Sequence, residues 1–309
     1  MKSPDALFRA AAAALILAVP ATAGDFSDLS DAELGLHHRA VAHWGLGMME
    51  TAEREFSELL ASRPNHPAVL SNLGLLRLIR RRPAEAERVL IGALAADPKN
   101  PRPRYLLGRS RLGAGRPEDA VKAFQEAAER EPGEADIWFR LSEALLAGGR
   151  EPAARKQLRK VLELNPRHGP ALYRLGRSLV AAGRKTEGEA LLGRFAEQEG
   201  REGGPRRPFR YDEPLEPFPS AGDTERAGGH WLEVRAASKE PARNAVVTVF
   251  AGKLILRKEA GANPVRFELG ERVRADSIKA DWPDGTHAYR VGAEAGETIV
   301  LSEVQAHVW

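Results

Sequence analysis

Small and bulky apolar residues recur at a constant interval of 34 residues through the first 200 positions of the chain. Each copy has a bulky apolar residue, at Phe56, Leu90, Phe124 and Leu158. Four positions before it lies an alanine, at Ala52, Ala86, Ala120 and Ala154. Twelve positions before that lies a small residue, at Ala40, Gly74, Gly108 and Ser142. A fifth copy continues with Gly176, Gly188 and Leu192, and a fixed interval of this length is typical of stacked repeats.

The pattern within one copy predicts two antiparallel helices. The recurring small residue and the recurring alanine let the two helices approach closely, and the bulky residue fills the space beside their crossing. A proline ends each copy, at Pro64, Pro98, Pro132 and Pro166. Between the two helices a glycine recurs, at Gly47, Gly115, Gly149 and Gly183. Glycine suits a left-handed helix cap, and Arg81 takes this position in the second copy.

This repeat resembles the tetratricopeptide repeat (TPR). The motif residues of the third copy are Leu107, Gly108, Ala120, Phe124, Ala127 and Pro132. The resemblance covers 33–200 and implies an α-solenoid of about five helix pairs with a concave inner wall. Arg39 and His43 stand in the first copy where the family has apolar residues. Because the end of an array has one face without a neighbouring repeat, we expect these two residues to face water.

From residue 230 onward apolar residues alternate with polar ones at every second position, which is the period of a half-buried strand. Seven short strands are predicted, at 231–235, 246–250, 254–258, 265–269, 278–282, 288–291 and 298–301. Turn residues separate paired strands at 251–252 and 283–285. This arrangement predicts a small all-β sandwich or barrel over 230–309, so that the whole chain is an α-solenoid followed by a β-domain.

The β region contains a second, shorter resemblance. The segments 266–270, 275–278 and 281–286, with Trp282-Pro283-Asp284-Gly285 as the most specific part, resemble the ASPIC/UnbV C-terminal module. The resemblance implies a β-domain without catalytic residues. Such modules usually follow β-propeller repeats with calcium-binding loops, and because those repeats are absent, no calcium role is carried over.

The first 23 residues have the features of a secretory signal peptide. Lys2 and Arg9 supply positive charge, 10–19 is a short apolar stretch, and 21–23 is a small-x-small cleavage motif. We expect cleavage after Ala23, a periplasmic or secreted protein, and no transmembrane segment in the mature chain. An uncleaved membrane anchor is the alternative interpretation.

The segment 201–229 differs in composition from both flanking regions. Glycines and prolines dominate it, and the helical period is lost, which predicts a linker. It also contains Phe209, Tyr211, Leu215 and Phe218, which are more apolar than a free tether requires. We therefore expect either a linker or an extended cap on the last repeat.

Composition excludes several classes of function. The net charge of +3 is small and gives no concentrated basic stripe, which argues against nucleic-acid binding. The chain has no cysteine, so it has no disulfide, thiolate metal site, thiol nucleophile or lipid-modified N-terminal cysteine. These observations leave a globular protein of two domains.

Motifs that carry catalysis or hold cofactors are absent from the sequence. It has neither a phosphate-binding glycine loop with lysine nor a Gly-x-Ser-x-Gly elbow. His37, His38 and His43 lie close together, but none of their spacings is the four that places two imidazoles on one helical face for a metal ion. We therefore predict no enzyme activity, no cofactor and no metal site.

The strongest candidate for a binding site is the inner wall that the TPR resemblance implies. By that resemblance, first helices line a concave groove with a stripe of aromatic residues beside arginines, at Asn72, Arg102, Tyr105, Arg109, Phe139, Arg140, Tyr173, Arg174 and Arg177. Guanidinium groups bind carboxylates through paired N–H donors and stack on aromatic rings. Such a groove suits an extended peptide with acidic side chains or a C-terminal carboxylate.

These features predict an exported, non-enzymatic scaffold or adaptor that binds a protein or peptide partner in its concave groove. The alternative places the function in the β-domain, as a cell-envelope or glycan-binding module with the repeats as a spacer. Under that alternative Trp231, Trp282 and Trp309 form a surface on which sugar rings stack, whereas under the first they pack in cores or turns.

Overall fold

The computed structural model describes residues 25–201, 230–237, 244–261, 263–283 and 286–302. Within these residues ten helices are followed by seven strands, so the predicted order of an α-solenoid and then a β region is confirmed. The predicted signal peptide, the predicted linker or cap and Trp309 lie outside the described residues. None of the helices in the described part is long and apolar enough to cross a membrane.

The ten helices form five consecutive antiparallel pairs. They are α1 (Asp31–Gly45), α2 (Met49–Ser62), α3 (Pro67–Ile79), α4 (Pro83–Ala96), α5 (Pro101–Gly113), α6 (Pro117–Arg130), α7 (Ala135–Ala147), α8 (Glu151–Leu164), α9 (Gly169–Ala181) and α10 (Lys185–Arg201). Several begin with a proline. The first turn of a helix tolerates proline because a backbone N–H at that position has no partner within the helix. Helix α1 begins with a capping box, in which Ser30 and Glu33 satisfy each other's backbone N–H groups.

The small residues of the repeat lie where the two helices of a pair cross. A Cβ atom on Gly74 would lie 2.5 Å from Leu90 Cδ2, and one on Gly108 would lie 2.6 Å from Phe124 Cε1. Leu90 and Phe124 are fully buried. The bulky residue of each of these copies therefore occupies the space that the small residue leaves empty, as the spacing predicts.

The turns between paired helices all use one backbone conformation. Gly47, Gly115, Gly149 and Gly183 have φ between 72° and 80°, and Arg81 has φ 57°. Among the described residues, Arg81 is the one residue other than glycine with positive φ. The left-handed cap predicted from the recurring glycine is confirmed, including the copy in which arginine has replaced it.

Neighbouring pairs are joined by ion pairs that repeat with the sequence. Arg77 Nε lies 3.1 Å from Glu53 Oε1, and Arg111 Nε lies 3.1 Å from Glu87 Oε1. Each pair links the second helix of one copy to the first helix of the next at equivalent positions. The first three copies are therefore stacked in register.

The strands form two small sheets. They are β1 (His230–Ala237), β2 (Ala245–Ala251), β3 (Leu254–Ala260), β4 (Val265–Gly270), β5 (Arg274–Asp281), β6 (His287–Glu294) and β7 (Thr298–Ser302). One sheet has the antiparallel order β3-β2-β5-β6, and the other has the order β4-β1-β7 with β1 and β7 parallel. Leu232, Phe267 and Ile278 are fully buried between them, which makes a small sandwich.

The four-stranded sheet packs against α1, the first helix of the solenoid. A Cβ on Gly35 would lie 2.7 Å from Asp276 Oδ1, and one on Gly45 would lie 2.2 Å from Tyr289 Cε2. These two glycines therefore let strands β5 and β6 approach the helix closely. We call this contact between α1 and the sheet the joint.

The joint corrects one expectation from the sequence. Arg39 lies 3.8 Å from Glu55 Oε1 and 3.6 Å from Asp276 Oδ1, and its side chain is only one-third exposed. His43 Nδ1 lies 2.7 Å from Glu55 Oε2. The prediction that these two residues face water was wrong, because Glu55 of α2 pairs with both of them and Asp276 of the β region also lies beside Arg39.

Candidate functional site

The structure distributes the nine predicted groove residues between two environments. Asn72, Arg102 and Tyr105 are buried, and Arg109 is half-buried. Asn72 Nδ2 lies 3.1 Å from His37 Nε2, so this amide contacts the first copy. The remaining five residues line one open cavity at the C-terminal end of the solenoid, namely Phe139, Arg140, Tyr173, Arg174 and Arg177.

This cavity, which we call the groove pocket, has a volume of about 550 Å³. Four further residues contribute to its lining: Glu143, Leu146, Pro170 and Phe195. It lies between α7 and α9, and Phe195 of α10 closes one side. A volume of this size fits one or two side chains of an extended peptide.

The repeat itself places these side chains together. Phe139, Arg140 and Glu143 of α7 correspond, one interval of 34 residues later, to Tyr173, Arg174 and Arg177 of α9. Residues three and four positions apart lie on one face of a helix. Because α7 and α9 are first helices of successive copies, equivalent positions lie side by side and form the pocket wall.

Aromatic rings form the apolar part of the groove pocket. The ring of Phe139 is 3% exposed, whereas Tyr173 is 40% exposed. The ring centroids of Tyr173 and Phe195 are 5.4 Å apart. The pocket therefore offers an apolar surface that a partner side chain can cover without breaking the core.

Three arginines, Arg140, Arg174 and Arg177, form what we call the rim of the groove pocket. Glu143 links the first two of them. Its Oε2 accepts a hydrogen bond from Arg140 Nη1 at 2.8 Å, and its Oε1 accepts one from Arg174 Nη2 at 2.6 Å. The guanidinium carbon of Arg174 also lies 5.5 Å from the centroid of the Phe139 ring. Arg140 and Arg174 therefore share one carboxylate, which offsets half of their combined positive charge and holds both side chains in place.

Arg177 has a different environment. Its Nη1 donates a hydrogen bond to Tyr173 Oη at 3.1 Å, and its guanidinium carbon lies 5.8 Å from the Tyr173 ring centroid. That hydrogen bond raises the pKa of Arg177, which is charged at any physiological pH. Within the described part of the chain no carboxylate pairs with Arg177, so this exposed cation is available to an anion.

The sequence did not mark the four additional lining residues as site residues. Glu143 shares its repeat position with Arg109 and Arg177, which was a usable signal. Phe195 corresponds to Val161 of the preceding copy, which is fully buried. Among the residues that the structure describes, no further repeat packs against α10 in the last copy, and Phe195 is half-buried at the pocket edge.

Other candidate residues lie away from the groove pocket. No group of three or more possible metal ligands occurs in the parts of the chain that the structure describes, and both His37 and His38 are buried. Trp282 is 3% exposed in the core of the β sandwich, and the guanidinium carbon of Arg266 covers the Trp231 ring at 4.5 Å. These two tryptophans do not form a shared surface for sugar stacking.

Comparison with known proteins identifies the helical region. Tetratricopeptide-repeat family profiles match residues 77–122, 105–167 and 152–200. The structure of MamA residues 41 to the end, from Desulfovibrio magneticus RS-1, is 18% identical and has a TM-score of 0.51, covering 55% of this chain and 96% of that chain. A double mutant of MamA from RS-1 is also 18% identical, with a TM-score of 0.52, covering 56% and 96%.

A third structure is that of YrrB, described as a TPR protein with an unusual peptide-binding site. It is 19% identical with a TM-score of 0.45, and covers 53% of this chain and 85% of that chain. No curated protein matches the sequence. The family matches and the two MamA structures establish that the helical region is a TPR solenoid.

Proposed function

We propose that this protein is a non-enzymatic interaction scaffold that binds an extended segment of a protein partner in the concave groove of its TPR solenoid. The single observation that carries the proposal is the groove pocket, in which an exposed aromatic surface lies directly beside guanidinium groups. TPR solenoids in general serve as binding surfaces for proteins and peptides. The partner segment would be acidic.

The groove pocket supports binding by two complementary contacts. An apolar side chain of the partner would cover Tyr173 and Phe195, which removes apolar surface from water. A carboxylate next to that side chain would meet Arg177. Charge-assisted hydrogen bonds to arginine are about twice as strong as neutral ones, so the carboxylate would fix the register of the peptide.

Export is part of the same proposal and rests on residues 1–23 alone. A periplasmic or secreted location follows if that segment is a signal peptide. Mass spectrometry of the mature N-terminus tests this directly. A mature chain that begins at Gly24 supports export, and a chain that retains Met1 contradicts cleavage.

A peptide-display selection on the purified chain tests the binding proposal. We expect selected peptides to be enriched in acidic residues next to an apolar one. The double variant Arg174→Glu with Arg177→Glu should bind them at least tenfold more weakly, because it reverses both exposed charges of the rim. Selected peptides that bind this variant as well as the natural chain would contradict the proposal.

A matched control separates the pocket from net charge. Lys122 and Arg130 are exposed on α6 and do not line the groove pocket. The variant Lys122→Glu with Arg130→Glu has the same change in net charge as the rim variant. It should retain the affinity of the natural chain for the selected peptides.

A further inference from the structure

We infer that Glu143 acts as an internal competitor in the groove pocket, so that it limits how many acidic groups a bound peptide can use. This inference rests on the proposed function and deepens it. It gives a role in specificity to a carboxylate that the fold itself does not require. The ligand class is a peptide segment with an apolar side chain and a single carboxylate beside it.

The carboxylate of Glu143 occupies the position beside Arg140 and Arg174 that a carboxylate of a bound peptide would otherwise take. Its two oxygens accept from Arg140 Nη1 at 2.8 Å and from Arg174 Nη2 at 2.6 Å. The carboxylate therefore bridges two successive copies. The side chain of Glu143 is 15% exposed, whereas that of Arg174 is 43% exposed, so the carboxylate lies behind the guanidinium that a partner would meet.

The repeat shows that folding does not require an acid at this position. The equivalent residues of the other copies are Val41, Leu75, Arg109 and Arg177. An apolar or a basic residue is thus compatible with the same helix pair. Glu143 is the acidic member of this set, and its one negative charge lies between the two arginines nearest to it.

The arginines of the rim therefore differ in how readily they can bind a carboxylate of the partner. A carboxylate that meets Arg177 displaces nothing, because no carboxylate of the described chain occupies that guanidinium. A carboxylate that approaches Arg140 and Arg174 has to replace Glu143 or share their donors with it, and like charges repel at this distance. A first acidic group should therefore add affinity, and a second should add little.

Four fluorescein-labelled peptides of nine residues test this inference. All carry a central phenylalanine in a neutral background, and they have no glutamate, one glutamate beside the phenylalanine, or glutamates on both sides of it. Fluorescence anisotropy gives their affinities for the natural chain and for Glu143→Gln. The singly acidic peptide is made with the glutamate on either side, because the direction of the bound peptide is one of the results.

We expect the natural chain to bind the better singly acidic peptide about tenfold more tightly than the neutral one. The doubly acidic peptide should bind less than about threefold more tightly than that singly acidic peptide. In Glu143→Gln the second glutamate should add about tenfold, because the exposed guanidinium of Arg174 is released from its internal carboxylate. Glu163→Gln, which removes an exposed carboxylate of α8 outside the pocket, should leave the natural pattern unchanged.

Two results overturn the inference. The natural chain gains tenfold from the second glutamate, or Glu143→Gln binds the doubly acidic peptide no more tightly than the natural chain does. Circular dichroism of Glu143→Gln checks that the helices are retained. Failure of the proposed function has a different signature, since all four peptides would then bind the natural chain and the Arg174→Glu, Arg177→Glu variant equally.

Discussion

The imidazole ring of His38 packs against the ring of Phe250, with their centroids 4.5 Å apart. His38 belongs to the first helix of the solenoid and Phe250 to strand β2, so this contact lies in the joint between the two regions. His38 is 3% exposed, and neither of its ring nitrogens has a hydrogen-bond partner among the residues that the structure describes. Burial in this apolar setting, together with the smaller effect of the neighbouring Arg39 charge, lowers the pKa of His38 from 6.5 to about 3.

The first prediction concerns the stability of the joint in acid. Because the folded protein holds the pKa of His38 below its ordinary value, the neutral imidazole contributes stability that is complete above pH 6.5 and is lost as the pH falls toward 3. One protonation site costs about 1.4 kcal/mol per pH unit, so His38 alone should account for a loss of roughly 2–3 kcal/mol between pH 6.5 and 4.5. Urea unfolding at both pH values measures this loss.

The variant His38→Phe distinguishes the contribution of His38 to this pH dependence from that of the other titrating groups. The variant should lose distinctly less stability than the natural chain over the same pH range. Some loss should remain, because burial also places the pKa of His37 well below its ordinary value. An unchanged pH dependence in His38→Phe would show that this histidine is not buried in the joint.

The second prediction concerns the helix crossing. Gly108→Ala would place a methyl group 2.6 Å from the Phe124 ring, and overpacking of this kind costs about 1–3 kcal/mol. We expect a net loss of about 1 kcal/mol or more in the free energy of unfolding. Gly92→Ala is the matched control, because its Cβ would meet Leu70 Cδ1 at an ordinary 3.6 Å. That variant should gain about 0.5–1 kcal/mol from helix propensity.

The third prediction concerns the turn in the second copy. Arg81 is exposed and has φ 57°, a conformation that costs a residue with a side chain about 1–2 kcal/mol. Arg81→Gly should therefore raise the melting temperature, with a gain of about 1 kcal/mol. Gly115→Arg makes the reverse change at the equivalent position, where a Cβ would meet nothing within 4 Å. It should destabilise by a similar amount, and equal melting temperatures for both variants would contradict the backbone explanation.

Much of the fold could be predicted because its determinants are local. The 34-residue interval gave the helix pairs, and the recurring glycine gave a turn conformation that even Arg81 adopts. Period-two alternation gave the strands. Each of these signals depends on residues a few positions apart, whose preferences act before any tertiary contact forms.

The joint could not be predicted in this way. It brings Gly35 against Asp276 and Gly45 against Tyr289, residues more than 200 positions apart. Small residues in α1 had an equally good explanation within the solenoid. No local pattern distinguishes a helix face that meets water from one that meets a distant sheet, so the contact of Arg39 with Asp276 could not be predicted.

The groove was predictable in position and less so in extent. Repeat positions identified the residues that lie side by side, such as Phe139 and Tyr173. They did not indicate that Tyr105 is fully buried while Tyr173 is 40% exposed. That difference depends on packing around each copy, and the pairing of Glu143 with Arg174 depends on side-chain geometry that spacing does not specify.

Hydrogen exchange of the chain with and without a selected peptide tests the central claim most directly. The account predicts that bound peptide slows amide exchange in α7 and α9, at 135–147 and 169–181, and leaves strands β1 to β7 unchanged. Protection confined to the strands of 230–302, with α7 and α9 unaffected, would contradict it and would place binding in the β sandwich.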